Sequence, residues 1–241
     1  MDYLISEEIW QLIFPILKTY KDIYIKTEEK LRLFIESVYF ITRTGSQWRL
    51  LPKYYGNWNS NYKRFKRWSD KGILRKIYTK VTTKLNLEII ILDSTIVRAH
   101  ACSAGLNECL GRSSGGFSSK IHTLVDGNGK PIKFILTEGQ RADITQAIDL
   151  TKDIKNSVVL ADKSYDSDDF INILKERNCT PVIPSKKNRI QPREFERNIY
   201  KERNVIERFF GKIKYFRRIF SRFDKTASVF LSFLYFVSLF V

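Results

Sequence analysis

Cysteine and histidine are scarce in this 241-residue chain, which has three cysteines, Cys102, Cys109 and Cys179, and two histidines, His100 and His122. No C-x-x-C pair occurs, so neither a disulfide framework nor a zinc module is indicated. A mixed set of His100, Cys102, Cys109 and His122 has no zinc-ligand spacing. The opening MDYLISEEIW lacks a signal-peptide layout. Long apolar runs are also missing. The C-terminal VFLSFLYFVSLFV has 13 residues, short of the roughly 20 that span a bilayer, and reads as a buried terminal helix. The expected location is the cytoplasm, with no membrane partner.

Positive charge is abundant instead. The net charge is +16 with a pI near 9.7. Residues 1–90 carry 17 basic and 9 acidic groups, residues 91–185 carry 11 and 12, and residues 186–241 carry 14 and 5. Two basic ends therefore flank a nearly neutral, aspartate-rich middle, which points to a polyanion partner and most simply to nucleic acid.

The first third is helical in pattern. Ser6 caps a helix through EEIWQLIFPILKTY, and a second helix crosses EEKLRLFIESVYFIT. RTGSQWRLLPKYYGNW then breaks the pattern with Gly45, Pro52 and Gly56. In NSNYKRFKRWSDKG, Tyr62, Phe65 and Trp68 share one helix face while Lys63, Arg64, Lys66 and Arg67 take the others. A strongly basic third helix suits a helix-turn-helix-like DNA reader, with an ordinary charged bundle as the alternative.

From Leu85 the grammar changes. LEIIILDST is a buried central strand ending in Asp93, and KIHTLVD and KPIKFILTEG form a hairpin about DGNGK. DITQAIDLTKDI has helical spacing, with Asp143 as its N-cap. SVVLADKSY is a second apolar strand ending in Asp162, DSDDFINILKERN a helix opened by Asp166, Asp168 and Asp169, and TPVIPS a short strand. This order predicts an α/β fold, a mixed sheet with helices on its faces. The expected division is a helical DNA-binding domain over 1–84 and a catalytic domain over 85–241.

A last helix, YKERNVIERFFGKIK, places Tyr200, Arg203, Glu207 and Lys214 within an arc of roughly 60° at 100° per residue. Val205, Ile206, Phe209, Phe210, Ile213, Phe216 and Phe220 gather opposite. Taken alone, this face is an ordinary solvated one with i,i+4 pairs. The aspartates change that reading. Two carboxylates ending adjacent apolar strands repel unless a cation lies between them, and Mg²⁺ or Mn²⁺ is the fitting occupant. Glu207, packed on the sheet, supplies a third ligand. Three carboxylates holding two ions suit in-line attack on a phosphodiester.

Asp93, Asp162 and Glu207 resemble the DDE triad of bacterial insertion-sequence transposases, in a ribonuclease H-like fold. The signature Y-x2-R-x3-E-x6-K is matched by Tyr200, Arg203, Glu207 and Lys214. RTGSQWRLLPKYYGNW and YKRFKRWSDKG are similar to the N-terminal helical domain of the insertion sequence 5-type (IS4/IS5-like) group, and LDST, GRSSGGFSSKIHTLVDGNGKP, TEGQRAD and LADKSYDSD to its core. Ser164 stands where that group more often has glycine, a departure expected to leave the triad untouched.

The resemblance implies a transposase that binds the terminal inverted repeats of its element and target DNA as double strands. It further implies two Mg²⁺ or Mn²⁺ ions per site, a homodimer or higher oligomer on DNA, and nucleoid association when DNA-bound. Tyr200, Arg203 and Lys214 are expected on the cleaved strand, with no share in holding metal, and Lys63, Arg64, Lys66 and Arg67 on phosphates of the repeat. Arg112 and Lys120 are candidates for the DNA path, Lys163 is a phosphate contact or a solvated lysine, and His100 is structural. A stand-alone nuclease and a non-enzymatic DNA binder are the competing readings. The basic helical domain argues against the first and the intact acidic residues against the second.

Overall fold

The computed structural model describes residues 4–21, 23–82, 85–103, 108–113 and 115–241, which form two compact units. The units are interleaved in sequence. A helical unit takes residues 1–83, 99–108 and 212–241, and a sheet unit takes residues 84–98 and 109–211.

The helical unit begins with α1 (Glu7–Lys18), where Ser6 accepts from the Ile9 N–H, and α2 (Glu28–Thr44), where Thr27 accepts from the Lys30 N–H. These caps satisfy orphan donors at each helix start. Gly45 closes α2 at φ 69°, a left-handed residue in which a side chain would be strained. The basic helix is α3 (Trp58–Asp70), capped by the Asn57 side chain, and α4 (Ile73–Val81) follows directly. Trp10, Leu17, Leu31, Ile41, Phe65, Trp68 and Ile77 form the core between these helices.

The sheet unit centres on β1 (Ile89–Ala99). It pairs antiparallel with β3 (Gly116–Asp126) and parallel with β5 (Val158–Leu160). With β2 (Gly111–Ser113), β4 (Pro131–Glu138) and β6 (Thr180–Val182), the order is β2-β3-β1-β5-β6, with β4 also on β3. Three antiparallel strands continued by two parallel ones make the mixed sheet that the strand and helix order predicts, in the ribonuclease H-like arrangement that the resemblance implies. The β3–β4 turn is built on Asp126, which is fully buried. One of its oxygens accepts from Asn128 and Lys130 N–H and the other from Asn86 N–H. One sheet face packs Ile90, Leu92, Leu124 and Val159 against α5 (Ala147–Leu150) and α6 (Asp168–Glu176).

Several local expectations are corrected. DITQAIDLTKDI is not one helix but a 3-10 turn, Asp143–Gln146, followed by the single turn of α5. The stretch YKERNVIERFFGKIK is likewise broken, into α7 (Arg197–Tyr200), a 3-10 turn Lys201–Arg203 and α8 (Asn204–Lys214). The apolar face of α8 is buried at Val205, Ile206, Phe209, Phe210 and Ile213, and Phe216 is buried just beyond it. Phe220, in α9 (Arg217–Phe220), is 65% exposed because the helix has already ended. The terminal segment is a buried helix, α10 (Ala227–Val237), packed against α3 and α4 of its own unit. The linear split after residue 84 therefore differs from the division by packing. A helix apolar on all sides needs cover all round, and the apolar faces of α3 and α4 provide it. Among the described residues no helix is long and apolar enough to cross a membrane.

Asp166 was expected to open α6 but anchors the segment after β6. Its carboxylate accepts from Arg189 Nε (2.9 Å), the Lys186 N–H (2.9 Å) and Arg193. Burial alone would raise its pKa, but these hydrogen bonds outweigh burial and hold it below the usual carboxylate value. A depressed folded-state pKa contributes stability at neutral pH that is lost as pH falls below the ordinary value, about 4. Amide exchange over residues 186–193, corrected for intrinsic rate, should be slow at neutral pH and rise below about pH 4. In Asp166→Asn it should be fast throughout.

Candidate active site

Period-2 alternation along β1 sends Asp93 and Ser94 to opposite faces of the sheet. Asp93 is a mid-strand residue rather than a strand end, paired across β3 with Thr123. Asp162 follows β5 and caps the next 3-10 turn. Carrying the Ile91–Leu160 register on by two residues sets Asp93 beside Asp162. Burial pushes the Asp93 carboxyl above its ordinary range and the like charge of Asp162 adds to this, against the opposing pull of the Ser94 N–H and Arg203.

Arg203 completes the group. One guanidinium nitrogen lies 2.6 Å from Asp93 Oδ2, and the other bonds Glu207 Oε1. The guanidinium also lies over the Tyr200 ring at 5.9 Å. Tyr200, Arg203, Glu207, Asp93 and Asp162 are thus gathered, though Tyr200 and Arg203 reach the cluster from α7 and a 3-10 turn. The Arg203 guanidinium is the counter-cation of two of the three carboxylates, Asp93 and Glu207. Glu207 remains half exposed at its side chain. Lys214, at the far end of α8, falls in the helical unit.

Ser164 is corrected as well, since it touches the triad. Its N–H donates to Asp162 Oδ1 at 2.8 Å, and its hydroxyl donates to the same oxygen.

The other face of β1 carries a polar layer that the sequence pattern alone did not reveal. Asp143 does not cap a helix. Its Oδ1 accepts from Ser94 Oγ (2.7 Å) and Lys120 Nζ (2.9 Å). Burial would raise the Asp143 pKa, but these partners outweigh burial and hold it low. Lys120 is 9% exposed and also donates to Arg141 O, so it does not line a DNA path. His122 is buried, donates to or accepts from Thr137 Oγ1 at 2.8 Å, and has its pKa lowered to about 4 by burial, so it is neutral at pH 7. The alternation of SSKIH on β3 was the available signal, because Lys120 and His122 share the face of Ser94.

On α3, Arg64 lies over the rings of Phe34 (4.3 Å) and Trp68 (5.4 Å), and burial lowers its pKa to about 10. Lys66 pairs with Asp70 at 2.6 Å. Lys63 and Arg67 are exposed. Arg112 is exposed on β2, Lys163 is exposed after Asp162, and His100 lies against the Phe223 ring, 5.2 Å between centroids, in the helical unit.

The three acidic side chains offer oxygen donors only, the chemistry of a hard divalent cation. Burial first, and the like charge of Asp162 after it, disfavour the charged form of Asp93, and such a cation would favour it. With Glu207 turned onto Arg203, no three Asp, Glu, His or Cys side chains among the described residues converge to hold an ion.

Two family models match the chain. "Transposase DDE domain" covers residues 84–237, and "Putative transposase of IS4/5 family" covers residues 5–78. The chain belongs to the DDE-domain transposases of the IS4/5 type, a family that depends on divalent metal. It is 34% identical over 120 residues to the "Putative transposase for insertion sequence element IS6501" of Brucella ovis, covering 49% of this chain and 92% of that protein. It is 32% identical over 128 residues to the corresponding IS402 protein of Burkholderia cepacia, covering 48% and 58%. An uncharacterized protein, y4sN, of Sinorhizobium fredii is 35% identical over 80 residues. That match spans 33% of this chain and 64% of y4sN. Among solved structures, the cryo-EM synaptic complex of piggyBac transposase with hairpin DNA matches at a TM-score of 0.42 and 12% identity, over 78% of this chain and 50% of that one.

Lys120→Met should lower unfolding stability by about 3 kcal/mol, because it strands a half-buried Asp143 carboxylate. Adding Asp143→Asn should restore part of the loss in urea unfolding, whereas independent sites would simply add.

Proposed function

We propose that this chain is the transposase of an insertion sequence, binding the terminal inverted repeats of its element and catalysing strand cleavage and transfer. The single observation that carries the proposal is the bridging of Asp93 and Glu207 by one guanidinium, with Asp162 in register beside Asp93, on a ribonuclease H-like sheet. Catalysis is assigned to these three carboxylates, which would hold two Mg²⁺ or Mn²⁺ ions. When bound, such ions activate the attacking oxygen and stabilise the departing one.

The chain's own residues then divide the remaining work. Arg203 offers a planar fork that fits two oxygens of one phosphate as well as it fits two carboxylates. Its guanidinium neutralises Asp93 and Glu207. With the carboxylates otherwise compensated, it is released to hold the cleaved strand. Tyr200 backs the guanidinium with its ring. Lys214 supplies a point charge for a neighbouring phosphate. In the helical unit, Lys63 and Arg67 are the exposed cations of α3 assigned to phosphates of the repeat, while Lys66 shares its charge with Asp70 and Arg64 packs on aromatic rings. Assembly as a homodimer or higher oligomer on DNA belongs to the same reading, because an element has two ends to bring together.

Asp93→Asn, Asp162→Asn and Glu207→Gln should each abolish Mg²⁺-dependent nicking of a labelled transposon-end duplex while leaving its binding in EDTA near the wild-type level. Retained cleavage in any one of them would refute the triad. Arg203→Ala should separate two roles. Cleavage should fall by roughly 10²-fold with loss of a positioning contact, while Mn²⁺ should bind roughly tenfold more tightly once the competing cation is gone. Unchanged Mn²⁺ affinity would show that the guanidinium does not compete. Ser164→Gly should shift Mn²⁺ affinity the same way by a smaller factor, since it frees a lone pair on Asp162.

A further inference from the structure

The stretch RTGSQWRLLPKYYGNW takes no part in the carboxylate site, yet Gly45–Leu50 and Trp58 wall a cavity of about 730 Å³ within the helical unit. The left-handed turn at Gly45 directs the chain out of α2, and a Cβ there would come within 3.1 Å of Arg217. Two short turns, Trp48–Leu50 and Lys53–Tyr55, then carry it to α3 at Trp58.

The walls are aromatic and the rim is cationic. Trp48 is 8% exposed and sits 5.8 Å from the Tyr62 ring, while Tyr62 itself is 38% exposed and opens the cavity to solvent. Phe223 forms part of the far wall. The Arg49 guanidinium lies 5.7 Å over the Trp58 ring, and Lys225 also lines the cavity. Among the described residues no aspartate or glutamate does so. Arg218, also on the wall, has its charge met by Asp224 at 2.7 Å. A flat, heteroaromatic ring bearing an anionic group fits such walls, because π faces stack on Trp and Tyr and cations meet the anion. That chemistry is a nucleotide, and the volume is in the range of a small-ligand site.

We infer that this cavity receives one unstacked nucleotide of a DNA strand, with the base against Trp58 and Tyr62 and the phosphate near Arg49 and Lys225. The inference shares the DNA-binding part of the proposed function but not its carboxylate chemistry. It is tested without divalent metal, so a failed cleavage assay and a failed test here are distinguishable.

The experiment titrates the full chain in EDTA, at fixed salt, with labelled oligothymidylate and with an abasic strand of equal length and phosphate count. The wild type should bind the base-bearing strand roughly tenfold more tightly, the scale of one base stacked on an aromatic ring. Trp58→Ala should erase the preference while leaving abasic binding unchanged, and Trp58→Phe should keep most of it. Equal affinity of the wild type for both strands, or a preference that survives Trp58→Ala, would overturn the inference. Free thymidine monophosphate binding as tightly as the strand would overturn the assignment to DNA in favour of a free nucleotide. Should Trp58→Ala fail to fold, photocrosslinking of the wild type to a 5-iododeoxyuridine strand gives the answer. Crosslinks in the peptides of Trp48, Trp58 or Tyr62 support the site, and crosslinks only elsewhere contradict it.

Discussion

Two aspartates side by side, Asp93 on one strand and Asp162 just past the end of its parallel neighbour, repel each other, and the arrangement around them follows from the need to offset that repulsion. Asp93 is half-buried on an otherwise apolar stretch of β1, so its charge is costly without compensation. Arg203 provides the compensation by bridging Asp93 and Glu207. This explains why Arg203 lies four residues before Glu207 at the start of a helix whose other face is packed in the core. It also gives the guanidinium two possible partners, carboxylates in the resting protein and phosphate on DNA. The same fork geometry serves both.

The reverse face of β1 anchors the backbone next to Asp93. Ser94 is tied to Asp143, and Asp143 to Lys120, while the Ser94 N–H donates to Asp93 Oδ1 at 2.8 Å. Successive residues of one strand are thus fixed from both sides of the sheet. A buried lysine in this position is a structural cation. Its sequence neighbourhood, rich in glycine and serine, disguised it as a surface loop.

The strand order, the DGNGK hairpin and the buried terminal helix were legible because apolar runs, glycine positions and charge placement each report on burial. The closeness of Asp93 and Asp162 was legible because each follows an apolar run of the kind that forms a central strand, and the two runs pair as neighbours. Other features were not legible, for physical reasons. Asp93 lies mid-strand because β1 continues past it through residues that alternate rather than run apolar. Asp143 and Asp166 look like helix caps in sequence, but their partners, Lys120 and Arg189, are more than twenty residues away. Arg64 looks like a phosphate contact until the rings of Phe34 and Trp68 are seen beneath it. The family match over residues 84–237 and the packed units also divide the chain differently. Sequence records the linear order, whereas an all-apolar terminal helix is placed by whichever helices offer it cover.

The central claim is that Arg203 holds the place of a metal cation among Asp93, Asp162 and Glu207. Crystals of the full chain soaked in Mn²⁺ and measured at the manganese absorption edge test it most directly. The account predicts anomalous density ligated by all three carboxylates, with the Arg203 guanidinium withdrawn from Asp93 and Glu207. Manganese bound elsewhere, or bound at these carboxylates with both Arg203 ion pairs intact, would contradict it.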